Sequence, residues 1–182
     1  DGAIVPLIAE TGGINAMVVD SSALPEQVVD AVVQSAFRSA GQRCSALRLL
    51  CVHAAIADGV IAMLKGAASE LVVGNTADLA TDVGPVIDAE AYDNIQKHIQ
   101  RLTSESKVLL APDQSTQIAT KHIANLIAPH AFEVANITDV KAEIFGPVLQ
   151  VVRWSGDPAD VIAQINALGY GLTCGVQTRI DS

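Results

Sequence analysis

Cys44 lies in the segment AGQRCSALRLL, residues 40–50, between an arginine and a serine. The segment joins a helical pattern to a strand-like run, and a loop at such a junction can expose a thiol. A thiolate is a strong nucleophile, and positive charge from Arg43 or from backbone N–H groups would increase its fraction. The opposing interpretation is a structural cysteine in an apolar core, which is the more common role of a lone cysteine. Spacing alone leaves these two interpretations evenly balanced.

The remaining cysteines and the histidines carry weaker signals. Cys51 and Cys174 lie in the apolar runs LLCVH and LTCGV, so we expect both in the core. The histidines are scattered along the chain, at His53, His98, His122 and His130. No CxxC pair and no metal-ligand spacing occurs, so we expect no metal site and assign the histidines structural or solvent-facing positions. A sparse, odd number of cysteines suits a reducing cytosol better than a disulfide scaffold.

Two carboxylates stand beside glycines, where the backbone can approach closely. Glu10 follows an apolar run and precedes Thr11, Gly12 and Gly13. Glu143 lies in KAEIFGPV, where the F-G-P sequence predicts a tight turn leading into a buried strand. Either residue could do acid–base or binding chemistry. The alternative for both is an ordinary solvated loop charge, and the residue types do not decide between them.

Composition excludes several functional classes. The 182 residues include 11 Lys and Arg against 20 Asp and Glu, which gives a net charge of −9. Such a chain repels phosphates, so we expect no nucleic-acid partner and no anionic membrane surface. No segment reaches the roughly 20 apolar residues of a membrane span, and the first residues lack a signal-peptide pattern. We therefore expect a cytoplasmic protein.

Strand-like runs alternate with helical patterns and predict an α/β fold, with a largely parallel open sheet covered by helices on both faces. Ser22 is the expected N-cap of the first helix and Gly41 its end, and Asp88 is the expected cap of the third helix. The predicted strands are 3–9, 16–20, 46–53, 107–111, 124–135 and 147–154, and the predicted helices are 21–41, 54–71, 88–102 and 157–168. Neither GxGxxG nor GxxxxGK[ST] occurs, so these residues hold no Gly-rich phosphate cradle.

Four stretches together resemble the aldehyde dehydrogenase superfamily. They are AETGGINAMVVDSSALPEQVV, SAFRSAGQRCSALRLLCV, EIFGPVLQVVRW and GYGLTCGVQTRID, and they occur in the family's order. Within the superfamily the chain is most similar to the L-glutamate γ-semialdehyde (Δ1-pyrroline-5-carboxylate) dehydrogenase modules of bacterial bifunctional proline utilization A proteins. This narrower resemblance rests mainly on DSSALPEQVV and GQRCSALR.

The resemblance implies catalytic roles for two residues. Cys44 matches the family's nucleophile, which would form a thiohemiacetal and then a thioester with the aldehyde. Glu10, in E-T-G-G, matches the carboxylate that activates the hydrolytic water. Arg43 and Ser45 flank the nucleophile, and we expect them to contact the substrate. The resemblance favours the nucleophile over the core interpretation of Cys44.

The resemblance also implies a cofactor. Glu143, in E-I-F-G-P, matches the acid that binds the nicotinamide ribose hydroxyls of NAD, and Phe145 would pack near the nicotinamide. The implied reaction is the NAD-dependent oxidation of L-glutamate γ-semialdehyde to L-glutamate in proline catabolism. FAD is expected only if a proline dehydrogenase module precedes this one.

Residues 1–182 are expected to form an aldehyde dehydrogenase catalytic domain cut at both ends, with most of the NAD-binding domain missing. We expect this piece alone to be inactive and the parent protein to be a homo-oligomer. Two alternatives stay open. One is an aldehyde dehydrogenase of another substrate class, and the other is a structural or interaction domain without catalysis.

Overall fold

The computed structural model describes residues 6, 11–113, 116 and 122–180, and six strands of these residues form one sheet. The strands are β1 (Asn15–Val19), β2 (Leu47–His53), β3 (Lys107–Leu110), β4 (His130–Glu133), β5 (Val148–Trp154) and β6 (Cys174–Gln177). Their order is β3-β4-β5-β2-β1-β6; β3 is antiparallel to β4 and the other neighbours are parallel. The predicted α/β fold with a largely parallel open sheet is confirmed.

The neighbouring strands β5, β2 and β1 are covered on both faces. Successive side chains of a strand point to opposite faces, so continuous burial requires cover on both sides. All five residues of β1, six of seven in β2 and six of seven in β5 are buried. The core between these layers is built mainly from Val, Ile, Leu and Ala, with Phe37, Phe132 and Trp154 as its large aromatic members.

The described residues form four α-helices, whose starts follow local capping chemistry. They are α1 (Pro25–Ala36), α2 (Ala54–Ser69), α3 (Ala89–Glu105) and α4 (Pro158–Ala167). Asp88 accepts a hydrogen bond from the Ala91 N–H at the start of α3, as predicted. His53 caps α2 through Nδ1, and Asp157 caps α4. None of these helices is both long and apolar enough to cross a bilayer.

Three sequence predictions about helix and strand ends are wrong or incomplete, and a fourth is not tested. Ser22 does not cap α1, because its hydroxyl accepts a hydrogen bond from the Arg179 N–H, and the helix starts at Pro25 without a side-chain cap. Helix α1 ends at Ala36, before Gly41, because a short left-handed turn intervenes. The strand predicted for 124–135 shrinks to β4, and the one predicted for 3–9 falls, apart from Pro6, outside the described residues.

An ion-pair network joins β3, β4, β5 and α2 on the sheet surface. Arg153 donates from Nε to Glu133 at 2.7 Å and pairs with Asp58 at 2.8 Å, and Lys107 Nζ lies 3.2 Å from Glu133. Burial acts to raise the pKa of Glu133, but the hydrogen bonds from Arg153 and Lys107 outweigh burial and hold this pKa below its ordinary value. A carboxylate with a depressed native pKa adds stability above its unfolded-state pKa, and this stability is lost as the pH falls.

Glu133→Gln is expected to lower the free energy of unfolding by about 1 kcal/mol near neutral pH, because Arg153 and Lys107 lose their anionic partner. The deficit should shrink as the pH falls below about 4, where the wild-type carboxylate also becomes protonated. Urea unfolding of the two proteins across this pH range measures the difference.

Glu70→Gln is the matched control, since Glu70 is an exposed glutamate that follows α2. We expect a change of no more than about 0.5 kcal/mol for this surface substitution. A Glu133→Gln deficit that stays constant down to acid pH would contradict the proposed stabilisation by the ionised carboxylate.

Candidate active site

The predicted site segments meet at the amino-terminal end of the parallel strands. Gly12 and Gly13 precede β1, Cys44 precedes β2, Gly146 precedes β5 and Thr173 precedes β6. These four strands are neighbours in the order β5-β2-β1-β6. Because parallel strands present their amino ends at one edge, the topology brings together segments that are more than 150 residues apart in the chain.

Cys44 is an exposed, free thiol on the short loop between a left-handed turn and β2. Ser39, Ala40 and Gly41 in that turn have φ values of 57°, 51° and 65°. For the two non-glycine residues this region is unfavourable, costing roughly 1–2 kcal/mol each. Such strain persists only where surrounding contacts fix the backbone, and it is concentrated at functional sites.

Buried Asn15 fixes the backbone on the carboxyl side of Cys44. Its amide nitrogen donates to the carbonyl oxygens of Cys44 at 2.7 Å and of Ala46 at 2.8 Å. Its amide oxygen accepts from the Thr173 N–H at 3.1 Å. One side chain at the start of β1 therefore joins the cysteine loop to the segment that leads into β6.

Buried Arg48 joins the cysteine loop to the segment that contains Glu143. It is only 1% exposed, and it donates from Nη1 to the Gly146 carbonyl at 3.1 Å and from Nη2 to the Arg43 carbonyl at 3.3 Å. Nη2 also lies 3.6 Å from Glu143 Oε1, an ion pair longer than a hydrogen bond. Its guanidinium carbon lies 5.3 Å from the Phe145 ring centroid. Burial lowers the pKa of Arg48, and the charge of Glu143 opposes that shift.

The E-I-F-G-P segment forms the predicted tight turn. The Gly146 N–H donates to the Ile144 carbonyl at 2.8 Å, and the Val148 N–H donates to the Gly146 carbonyl at 2.8 Å. Glu143 is mostly buried beside this turn, and its Oε1 accepts no hydrogen bond from the described residues. A carboxylate can accept several hydrogen bonds, so Glu143 keeps unused acceptor capacity.

Two glycines allow the site segments to touch. A Cβ at Gly12 would collide with the Glu143 carboxylate, so Gly12 lies directly against the side chain of Glu143. A Cβ at Gly41 would collide with the Gly146 carbonyl oxygen, and the φ of 65° at Gly41 independently favours glycine. Glu10 itself lies outside the described residues.

A cavity of about 500 Å³ lies between α3 and the Glu143–Phe145 segment. Phe145 is 44% exposed and forms part of its wall. The helix contributes Asn94, Lys97, His98 and Arg101 among other residues. Burial, aided by the charge of Arg101, lowers the pKa of His98 and favours its neutral form. The arrangement provides a carboxylate, an exposed aromatic ring and two cationic side chains around one cavity.

The three cysteines have different surroundings. Cys51 is fully buried in β2, as predicted, and burial raises the pKa of its thiol to about 12, so it is un-ionised at neutral pH. The prediction that Cys174 belongs to the core is wrong, because β6 is an edge strand and its side chain is exposed. Cys174 and Ser45 line a second, smaller cavity of about 260 Å³.

Arg43 and Ser45 are both exposed beside Cys44, where the sequence predicts substrate contacts. Arg43 donates to the Gln34 carbonyl at the end of α1, at 3.1 Å. Their predicted roles stay predictions. Within the described ranges no group of three or more His, Cys, Asp or Glu side chains could hold a metal ion.

Sequence reasoning missed Asn15 and Arg48, which hold the site together. Arg48 is a polar residue inside an apolar, strand-like run, and Asn15 directly precedes another. That pattern is the available signal, because a buried polar side chain needs a hydrogen-bond partner and so marks a specific contact. Which contact it makes depends on the strand order.

Gly41→Ala is expected to destabilise the protein by at least about 2 kcal/mol. The methyl group would enforce an unfavourable φ and push the Gly146 carbonyl away from Arg48. Thermal unfolding measures the loss of stability, and the rate of Cys44 alkylation measures any rearrangement of its loop.

Gly59→Ala is the control, because Gly59 lies inside α2 and an added Cβ has no atom within 4 Å. This change should be neutral or stabilise the helix by up to about 1 kcal/mol. Equal effects of the two substitutions would show that the Gly41–Gly146 approach is unimportant.

Comparison with known proteins agrees with this arrangement. The model of the aldehyde dehydrogenase family matches residues 1–181. The bifunctional protein PutA of Klebsiella aerogenes is 52% identical over 99% of this chain and 14% of its own length. A crystal structure of bifunctional proline utilization A (PutA) matches with a TM-score of 0.90 and 52% identity, covering the whole chain and 18% of the other.

A second similar solved structure contains a bound cofactor. A 1-pyrroline-5-carboxylate dehydrogenase from Thermus with bound NAD matches with a TM-score of 0.81 and 31% identity, over 94% of this chain and 32% of the other. This chain therefore spans a small part of the relatives that it matches. Its full-length family match, its fold and the convergence of its motif segments lead to one conclusion: the chain belongs to the aldehyde dehydrogenase family.

Proposed function

We propose that this chain is part of the catalytic domain of an NAD-dependent dehydrogenase that oxidises L-glutamate γ-semialdehyde to L-glutamate, with Cys44 as the nucleophile. The observation that carries the proposal is the exposed Cys44 thiol on a loop that Arg48 ties to Glu143 and Phe145. A thiolate can attack a carbonyl carbon only if the substrate can reach the sulfur. Buried Cys51 lacks this accessibility.

The substrate assignment rests on the relatives. PutA proteins and 1-pyrroline-5-carboxylate dehydrogenases are among them. The semialdehyde forms when water opens the imine ring of 1-pyrroline-5-carboxylate. Since this chain spans only 14% of the Klebsiella PutA protein, the activity belongs to a larger protein. We infer that the chain alone is inactive, that the whole protein is a homo-oligomer, and that FAD enters only with a proline dehydrogenase module.

In the proposed reaction the Cys44 thiolate adds to the aldehyde carbon, and the carbonyl electron pair moves to oxygen. The backbone N–H of Cys44 is a donor for this oxyanion, a type of contact worth about 3 kcal/mol in known oxyanion holes. Loss of hydride from the carbon then leaves a thioester on Cys44. Sulfur suits both stages, because it is a strong nucleophile on entry and a good leaving group on departure.

The residues around the cavity between α3 and the Glu143–Phe145 segment fit NAD. Glu143 has unused acceptor capacity for the donor hydroxyls of a ribose, and the exposed Phe145 ring offers an apolar surface for a nicotinamide. NAD, when bound, would supply the acceptor for the hydride. Glu143 and Phe145 would thus orient the cofactor toward Cys44, and Arg48 would keep both in register with the cysteine loop.

Glu10 completes the proposed cycle as the general base for thioester hydrolysis. A positioned carboxylate that deprotonates water contributes roughly 10²–10⁴-fold to such a step. Support comes from its neighbour in the motif, since Gly12 packs against Glu143 at the same edge of the sheet as Cys44.

Cys44→Ala in the whole protein is expected to abolish aldehyde oxidation, because no thiohemiacetal can form. Cys51→Ala and Cys174→Ala are the matched thiol controls and should retain turnover. Initial rates of NADH formation from glutamate semialdehyde measure the difference, and substantial turnover by Cys44→Ala would remove the nucleophile from the proposal.

Glu10→Gln and Glu143→Ala should fail at different steps. Glu10→Gln should still give an initial burst of NADH, because hydride transfer precedes hydrolysis, and then turn over slowly. Glu143→Ala should slow hydride transfer and weaken NAD binding. Pre-steady-state absorbance traces distinguish the two, and a burst lost in Glu10→Gln but kept in Glu143→Ala would reverse the assigned roles.

A further inference from the structure

Arg48 has contacts that a purely structural residue in a strand would not need. It is the second residue of β2, four positions after Cys44, and it is the largest of the fully buried side chains among the described residues. Burying a guanidinium is costly unless its charge and N–H groups find partners. Its Nη1 and Nη2 find partners, all of them in the cysteine loop or the Glu143–Gly146 segment, whereas Nε has no hydrogen-bond partner among the described residues.

The first contact concerns the peptide unit that contains the Cys44 N–H. That planar unit consists of the Arg43 carbonyl and the Cys44 N–H, which point in opposite directions because the peptide is trans. Arg48 Nη2 holds the Arg43 carbonyl at 3.3 Å, and the Ala46 N–H donates to the same oxygen at 3.0 Å. Fixing the carbonyl therefore fixes the direction in which the Cys44 N–H points.

The hydrogen bond from Arg48 to the Arg43 carbonyl also polarises the peptide unit. A cationic donor on a carbonyl oxygen makes a stronger hydrogen bond than a neutral one, and hydrogen bonds in a chain polarise one another. Arg48 thus makes the Cys44 N–H a better donor to an anion on its far side. Asn15 holds the following peptide unit through the Cys44 carbonyl, so both units that flank the cysteine Cα are fixed.

We infer that Arg48 is a positioning residue that orients and polarises the 43–44 peptide, so that the Cys44 N–H stabilises the oxyanion formed when the thiolate attacks a carbonyl. This inference rests on the proposed function, in which Cys44 is that nucleophile. In the step concerned, the Sγ–C bond forms and the C=O electron pair moves to oxygen. Arg48 donates to the peptide, not to the substrate.

The test compares two electrophiles at the Cys44 thiol, and mass spectrometry of the Cys44-containing peptide follows both reactions because Cys174 is also exposed. With p-nitrophenyl acetate the thiolate adds to the carbonyl, an oxyanion forms, and p-nitrophenolate leaves as Cys44 becomes acetylated. With iodoacetamide the Sγ–C bond forms as iodide leaves, and no oxyanion appears. Arg48→Met in the whole protein is expected to slow acylation by about 10- to 100-fold, a part of what one oxyanion donor contributes. Alkylation should change by less than about 3-fold.

Three variants make the comparison specific. Arg38→Met removes an exposed arginine from the preceding turn and should leave both rates unchanged. Arg48→Lys keeps a cation near the Arg43 carbonyl and should fall between wild type and Arg48→Met in acylation. Arg48→Met/Glu143→Gln removes the unpaired charge that Arg48→Met leaves buried, so it keeps the test possible if the single variant does not fold.

The outcomes separate the inference from the proposed function. Equal losses of acylation and alkylation, or an unchanged acylation rate, would overturn the role of Arg48 while leaving Cys44 as the nucleophile. If Cys44→Ala is acylated and oxidises aldehyde as well as wild type, the proposed function itself fails. A selective loss of acylation in the Arg48 variants, partly restored in Arg48→Lys, supports the inference.

Discussion

The parallel pairing of β5, β2, β1 and β6 is the constraint on which the site depends. Each of these strands is preceded by a segment that carries a polar or reactive group, and parallel neighbours must present those segments at one edge. An antiparallel arrangement would send alternate segments to opposite ends of the sheet. The same hydrogen bonds that build the core therefore also set which residues can meet Cys44.

Buried polar side chains refine this arrangement beyond what apolar packing can specify. A valine layer tolerates small shifts of one strand against another, whereas an unsatisfied buried amide or guanidinium costs several times the net gain of a formed hydrogen bond. Asn15 bonds to both the cysteine loop and the segment before β6, and Arg48 bonds to both the cysteine loop and the Gly146 turn. These bonds penalise any displacement that would leave the groups unpaired, so they define the register of the three loops.

The sequence predicts elements better than it predicts contacts between them. Strand β5 and the Asp88 cap of α3 are encoded locally, by a run of β-branched residues and by a carboxylate before a helical stripe. Cys51 and Cys174 illustrate the limit, because both lie in apolar runs that look alike. One run becomes a central strand and the other an edge strand. Since strand order is a property of the whole sheet, neither the exposure of Cys174 nor the partners of Arg48 can be predicted from the neighbouring residues.

The polar groups at the amino ends of the parallel strands differ from those at the carboxyl ends in how far their hydrogen-bonding capacity is used. Ligands in open α/β sheets usually bind beyond the carboxyl ends of the strands. In this chain several polar groups at that end are paired with one another. Trp154 Nε1 donates to the Val19 carbonyl. Asp20 accepts hydrogen bonds from Thr178 and Ser22, which hold the pKa of Asp20 below its ordinary value. His53 is occupied in capping α2.

The amino-terminal edge instead retains an exposed thiol and a carboxylate oxygen without a hydrogen-bond donor among the described residues. Unused bonding capacity is what a ligand can exploit, whereas an edge whose polar groups are already paired contributes mainly to stability. By this division a helix-capping histidine and an indole lie at one end of β2 and β5, and an exposed thiol and a buried carboxylate lie at the other. In this fold, the position of a residue relative to its strand is therefore a better guide to its role than its residue type alone.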